Sequence, residues 1–302
     1  MSENDRYKAN AGEINRQYMN DILIEQRLID SDIADTTLEL FGKNYASPVM
    51  MPAFSHIKVL GEGRETGMIE YAKAAKQSNL VNWVGVCEND HFQQILDTGA
   101  DTVRIIKPYA DKEKVYNQIQ YAQEHGAVAV GMDIDHAFGY DGKYDVIDGE
   151  QMVPQSFEDI ADYVSSTNLP FIVKGVLSVQ DAVKCAQAGV YGIVVSQHHG
   201  RMPYAVPTLK ILPKIVEALG MDRKMKIFVD GGIAIGADVF KCLALGADAV
   251  SVGSAMLPAL TRDGTAGVCD YVDKMTKDLA FIMSFTGFQK IAEIESSVLW
   301  MK

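Results

Sequence analysis

The chain has 302 residues, 48% hydrophobic and 23% charged, with a formal net charge of -12 and a pI near 4.9. This is the balance of a folded chain with a sizeable core, and the length suits a single α/β barrel of roughly 250 residues or more. The acidic excess repels phosphate backbones and anionic headgroups, which argues against nucleic acid and membrane surfaces as partners, so an anionic substrate would need a local positive pocket.

The first residues, MSENDRYKANAGEINRQ, are polar and contain no apolar signal region, and no later stretch is long and apolar enough to span a bilayer. Cys87, Cys185, Cys242 and Cys269 lie far apart, with no CxxC pair and no zinc spacing. These features predict a cytoplasmic protein without a metal site. Residues 1–47 are expected to form an N-terminal extension packed on one domain that covers 1–302.

From residue 48 onward, short apolar runs alternate with amphipathic stretches. The expected strands are Val49–Ala53, Leu80–Val86, Thr102–Ile106, Ala127–Ile134, Phe171–Lys174, Gly192–Ser196, Lys226–Asp230 and Ala247–Val252. Each is too short for a helix and nearly continuously apolar, as strands buried on both faces should be. Expected helices include Glu65–Gln77, Lys112–Glu124, Phe157–Ser165, Val179–Ala188, Leu209–Leu219 and Ala237–Leu245. Gly126, Gly189, Gly220 and Gly246 follow four of them, where a left-handed residue ends a helix. The alternation predicts an α/β fold, a parallel (β/α)8 TIM barrel with a short N-terminal extension. A doubly wound sheet is the rival, weakened because no GxGxxG follows the first strand.

Function in a barrel gathers at the C-terminal ends of the strands. After the sixth strand comes Ser196-Gln197-His198-His199-Gly200-Arg201. An imidazole can accept a proton at neutral pH, and a guanidinium three residues on can grip a carboxylate with two prongs. A structural histidine and a surface-paired arginine are the plainer alternatives. Lys174 ends the fifth strand, where burial is costly unless an anionic group meets it; the alternative is a lysine that snorkels to solvent. Asp230-Gly231-Gly232 and Gly253-Ser254 place glycines after strands seven and eight, the loops with which barrels often bind phosphate.

The order and spacing of LPFIVKGVLSVQDA, AGVYGIVVSQHHGR and VDGGIAIGADVFKCLALGADAVSVG, between Leu169 and about Met256, resemble the FMN-dependent 2-hydroxy-acid oxidase/dehydrogenase family of glycolate and lactate oxidases. Weaker similarity reaches back through Gly61-Glu62-Gly63 and Met51-Pro52-Ala53-Phe54 to Asn15-Arg16. The resemblance implies FMN as cofactor and a small hydroxy acid as substrate. It implies His198 as the base, Asp135 as the acid supporting it, Arg201 as the grip on the substrate carboxylate, and Tyr109 near the substrate hydroxyl. It places Lys174 beside flavin N1 and O2, with Ala53, Ser196, Asp230, Gly231, Gly232, Gly253 and Ser254 around the cofactor. His198 would take the hydroxyl proton during hydride transfer, or the α-proton as a carbanion forms. The family's habit also implies a homo-oligomer.

The chain departs from that family at several points. Ala234 and Ser254 stand where family members usually carry arginines for the FMN phosphate. Gln197 and His199 replace an Asn and a Gly. The family's N-terminal substrate tyrosine would fall at or before the start of this chain, its second substrate arginine falls near Tyr140-Asp141, and Asp141–Gln155 is much shorter than the family's mobile loop. An isomerase-type flavin barrel and a non-catalytic flavin-binding barrel are the alternative functions.

Overall fold

Parallel strands covered on both faces need apolar residues at successive positions, and the runs between residues 49 and 252 meet that need. In the computed structural model, which describes residues 3–220 and 222–302 with side chains from Asn10 onward, these runs form eight parallel strands. Residues 1 and 2 of the expected extension lie outside the described residues. The strands are β1 (Val49–Met50), β2 (Asn82–Val84), β3 (Thr102–Ile106), β4 (Ala129–Asp133), β5 (Phe171–Val176), β6 (Gly192–Val195), β7 (Lys226–Val229) and β8 (Ala249–Ser251). Each falls inside its expected run except β5, which continues past Lys174.

The ladder runs β1-β8-β7-β6-β5-β4-β3-β2. Its two ends meet through Met51 N donating to Val81 O at 2.9 Å and Gly85 N donating to Phe54 O at 2.8 Å, so the sheet is closed. Closure decides between the barrel and its open rival.

Side chains alternate along a strand with period two, and closure turns one set inward. Met50, Trp83, Val103, Ile105, Ala129, Ile172, Val194, Phe228 and Ala249 make one cluster inside the barrel. Trp83 and Phe228 meet edge to face at 5.7 Å. The hairpin Leu38–Leu40/Lys43–Tyr45 adds Leu40 and Tyr45 to this cluster and plugs the N-terminal end. Gly131 also faces inward, where a Cβ would lie 2.2 Å from Ile172 O; only glycine fits there. One layer higher, the same alternation brings Lys107, Asp133, Lys174, Ser196, Asp230 and Ser251 to the C-terminal mouth.

The surrounding helices are α1 (Glu3–Asn20), α2 (Gly67–Gln77), α3 (Asn89–Leu96), α4 (Lys112–Glu124), α5 (Phe157–Ser165), α6 (Val179–Gln187), α7 (Thr208–Leu219), α8 (Gly236–Ala244) and α9 (Leu257–Phe285). Several begin at side-chain caps that supply the first turn's missing acceptors: Thr66 for α2, Asp111 for α4, Ser156 for α5 and Ser178 for α6. α1, α3 and α9 are not among the helices expected from the sequence. Among the described side chains of α1 the buried ones form a narrow stripe, Ala11, Asn15 and Met19 at i, i+4 and i+8, too thin for an amphipathic signal. Asn15 Nδ2 donates to Gly231 O at 3.0 Å, and Asn15 Oδ1 accepts from Thr208 N at 3.0 Å. Arg16 forms two hydrogen bonds with Asp238, of 2.9 and 2.8 Å, at the start of α8. The long α9 kinks at Gly264 (φ 59°) and packs on α2 and α8.

Candidate active site

The top layer of the barrel gathers buried charge. Asp133, at the end of β4, accepts from Lys107 Nζ at 2.6 Å and from Lys174 Nζ at 3.2 Å. All three side chains are below 10% exposed, so each ammonium needs the shared carboxylate. Burial alone would raise the Asp133 carboxyl, but His198, Lys174 and Lys107 together hold it well below the ordinary carboxylate range. Burial pushes Lys107 down despite Asp133. Lys174 stays raised: Asp133 and Asp230 outweigh its burial.

His198 stands on the loop after β6. Its φ of 43°, and the 57° of His199, lie in the left-handed region, which costs a residue with a Cβ roughly 1–2 kcal/mol. Gln197 holds the loop, its Nε2 donating to Val206 O at 2.8 Å and Ala205 O at 3.1 Å, while Ser196 Oγ accepts from His198 N at 3.1 Å. His198 Nδ1 lies 2.8 Å from Asp135 Oδ1 and 3.2 Å from Asp133 Oδ1. Two carboxylates against one nitrogen place the ring proton there and leave Nε2 as the basic atom. Burial works against the charged ring and Lys174 repels it, yet Asp133 and Asp135 carry the His198 pKa above its ordinary 6.5.

Asp135 owes its position to glycine. The β5–β6 register slips between Lys174 and Val176, a bulge around Gly175 (φ 93°). A Cβ on Gly175 would lie 2.6 Å from Asp135 Cγ.

Arg201 does not stand free. Its Nη2 donates to Phe138 O at 2.6 Å and Asp145 Oδ2 at 2.8 Å, and its Nη1 to His136 Nδ1 at 3.0 Å. His136 Nε2 in turn lies 3.3 Å from His198 Nε2. Burial, and then Lys107, push the His136 pKa down to about 2. The segment carrying these groups is a 3-10 turn, Ile134–His136, followed by a small hairpin, Val146–Ile147/Glu150–Gln151.

The structure therefore brings together His198, Asp135, Arg201, Lys174, Ser196 and Asp230. It leaves Tyr109 apart. Two residues past Lys107, Tyr109 meets different neighbours: its ring lies under Lys114 Nζ at 4.5 Å, and it lines a separate cavity with Arg104 and Glu88. Lys107 takes the inward place at the end of β3. Strand parity marks it, since Val103, Ile105 and Lys107 share a face; the same parity marks Asp133. His136 and Asp145 had no such signal.

Beside this cluster runs a cleft lined by Pro52, Ala53 and Phe54 on one wall and by Lys174, His198, His199 and Asp230 below. Its far end is Gly231, Gly232, Ile233, Gly253 and Ser254. Asp230 Oδ1 is buried without a hydrogen-bond partner on this cleft. Ligating atoms of Asp133, Asp135, His136 and His198 lie within 4.8 Å of one another, but Lys107 and Lys174 already balance Asp133. The arrangement suits proton transfer at His198 beside a bound anion-bearing, flat ligand.

Comparison with known proteins bears on the family and the fold. The model of the FMN-dependent dehydrogenase family matches residues 6–156 and 143–301. The chain is 27% identical to an L-lactate dehydrogenase (cytochrome) of Wickerhamomyces anomalus, over 90% of this chain and 53% of that longer one. It is also 27% identical to a glycolate oxidase of Spinacia oleracea, over 94% of this chain and 85% of the relative. A solved mandelate oxidase carrying a monooxide FMN adduct superposes with a TM-score of 0.86 at 26% identity, covering 97% of this chain and 91% of that one.

Proposed function

Because the chain belongs to the FMN-dependent dehydrogenase family, we propose that it oxidises a 2-hydroxy acid to the 2-oxo acid, with His198 as base, Arg201 as the carboxylate anchor and FMN as cofactor. The observation that carries this reading is the Asp135–His198 contact of 2.8 Å beside Lys174, opening on the cleft under Ala53.

The residues present fit the cofactor unevenly. Lys174 is a buried cation on the cleft, suited to the electron-rich edge of a flavin ring, and the unpartnered Asp230 Oδ1 is an acceptor waiting for a hydroxyl donor such as a ribityl chain. At the far end the lining donors are neutral, and the nearby Arg16, which donates to Gly232 O at 3.1 Å, is paired with Asp238. Ser254 offers a hydroxyl, while Ala234 N and Ile235 N already donate to Asp238 Oδ2 at 3.0 and 3.3 Å. When bound, FMN supplies the acceptor for the two electrons that leave the substrate's α-carbon.

The side chains do the rest. His198 Nε2 removes a proton from the substrate, and Asp135 and Asp133 stabilise the imidazolium that results. Lys174 provides fixed positive charge beside the cofactor. Arg201 orients the substrate carboxylate so that the reacting carbon faces the cleft. Tyr109, whose ring meets Lys114 in a different cavity, has no part in this reading.

A second copy of the chain as partner, and a cytoplasmic setting, complete the proposal. Leu28, Ile29 and Ile33 are exposed beside Phe281 and Phe285, joined through Ala34 N donating to Ser284 Oγ at 3.1 Å, an apolar area suited to self-association. The four cysteines are free, and among the described residues no helix is long and apolar enough to cross a membrane.

The test is anaerobic. Purified protein should be yellow, and a panel of 2-hydroxy acids of varied side chain should bleach the flavin. His198→Ala should keep the colour and lose bleaching by about 10²–10⁴-fold; full bleaching by that variant would refute the assignment.

A further inference from the structure

We propose that Asp145 is a specificity-determining residue: its carboxylate occupies the face of Arg201 that a substrate carboxylate needs, and the two compete for it. The proposal rests on the hydroxy-acid reading above and names what sets affinity in that site.

Arg201 Nη2 is 2.8 Å from Asp145 Oδ2, while its other hydrogen bonds go to Phe138 O and His136 Nδ1 and its guanidinium lies 5.8 Å from the Tyr140 ring. Both prongs of the guanidinium are thus taken by the segment that follows β4. That segment is built to keep Asp145 in place. Asp145 N donates to Ala137 O at 3.1 Å, Met152 N donates to Asp145 O at 2.8 Å, and Asp145 Oδ1 accepts from Val146 N at 3.0 Å. Met152 itself is fully buried. The internal carboxylate is therefore preorganised and loses little freedom on pairing, whereas a free acid must be immobilised.

The charges nearby sharpen the competition. Lys107 and Lys174 are committed to Asp133, and Lys174 also lies 3.6 Å from Asp230. Arg201 is then the cation open to an incoming acid, and Asp145 already neutralises it. An acid that binds without displacing Asp145 would bring a second carboxylate to one guanidinium, in a pocket that also holds Asp133 and Asp135. A weak monocarboxylate site follows, one that ignores acids too small to offset the lost pair.

The experiment compares the wild-type holoenzyme with Asp145→Asn, which keeps the acceptor for Val146 N and removes the charge, and with Asp145→Ser. Pyruvate, as a 2-oxo acid of the product class, is titrated calorimetrically into each FMN-loaded protein, and KM is measured for lactate and for its methyl ester. Both variants should bind pyruvate about tenfold or more tightly, since a charge-assisted hydrogen bond is freed. KM should fall for lactate and not for the ester. Unchanged pyruvate affinity, or an equal gain for the ester, would overturn the proposal, because a loosened loop would favour both ligands alike. Tighter pyruvate binding in a protein whose flavin no hydroxy acid reduces would uphold Asp145 as the competitor and refute the hydroxy-acid reading instead.

Discussion

His136 Nε2 and His198 Nε2 face each other at 3.3 Å, with the two rings nearly perpendicular at 79°. Arg201 has no acceptor, so its bond to His136 Nδ1 requires His136 to carry its proton on Nε2 and to donate to a neutral His198. When His198 is charged, its own Nε2–H must donate. His136 then carries its proton on Nδ1, where Asp145 Oδ2 lies 3.4 Å away, and can no longer accept from Arg201 Nη1. Each tautomer of His136 thus matches one charge state of the base.

That pairing has a pH signature. The His198 pKa lies above 6.5, so the ring is charged and cannot act as a base below it. Stopped-flow flavin reduction should accelerate as pH rises through that pKa and then level off. Asp135→Asn removes one of the charges that raise it, and should move the rise to lower pH while slowing reduction about 10²-fold. An unmoved midpoint in that variant would count against the assigned pair.

Asp133 should govern acid stability. Burial opposes its charge, but His198, Lys174 and Lys107 hold its folded pKa well below that of the unfolded carboxyl, about 3.9. The unfolded chain therefore takes up the proton first as pH falls. The stabilisation is complete above the unfolded pKa and is lost as pH drops through the folded one. Asp133→Asn leaves Lys107 buried without its counter-charge and Lys174 with Asp230 alone, and should cost about 3–5 kcal/mol in urea unfolding at neutral pH. A loss under 1 kcal/mol would mean that the lysines find other partners.

The neutral phosphate end predicts poor discrimination between FMN and riboflavin. Ser254→Arg places a guanidinium there and should tighten FMN about tenfold or more in a fluorescence-quenching titration, with riboflavin affinity unchanged. An equal gain for riboflavin would show that the arginine does not meet the phosphate.

Gly175→Ala should act on chemistry through Asp135. The added Cβ would meet Asp135 Cγ at 2.6 Å, and displacement of that carboxylate by about 1 Å can cost on the order of 10²-fold in rate. Gly189→Ala is the control, since it has a similar positive φ (79°) with only Val164 at 3.7 Å. Both should lose stability. Only Gly175→Ala should lose turnover with FMN still bound.

The barrel was legible in the chain itself because its causes are local, whereas FMN was implied only by the family resemblance of the stretch from Leu169 to about Met256. Apolar runs of strand length, helix caps and closing glycines each sit within a few residues, and strand alternation alone places Lys107, Asp133 and Lys174 on one inner face. The His198–Arg201 loop was legible for the same reason. What the tertiary structure decided were the partners of those groups. Asp145 reaches Arg201 across 56 positions and His136 reaches His198 across 62, through a hairpin whose path depends on Met152 and Ala137 and not on any spacing in the chain. Tyr109 and Lys107 differ by two residues, yet Lys107 meets Asp133 while Tyr109 meets Lys114 in another cavity. Local periodicity orients a side chain while the strand lasts; beyond its end, only packing sets the direction.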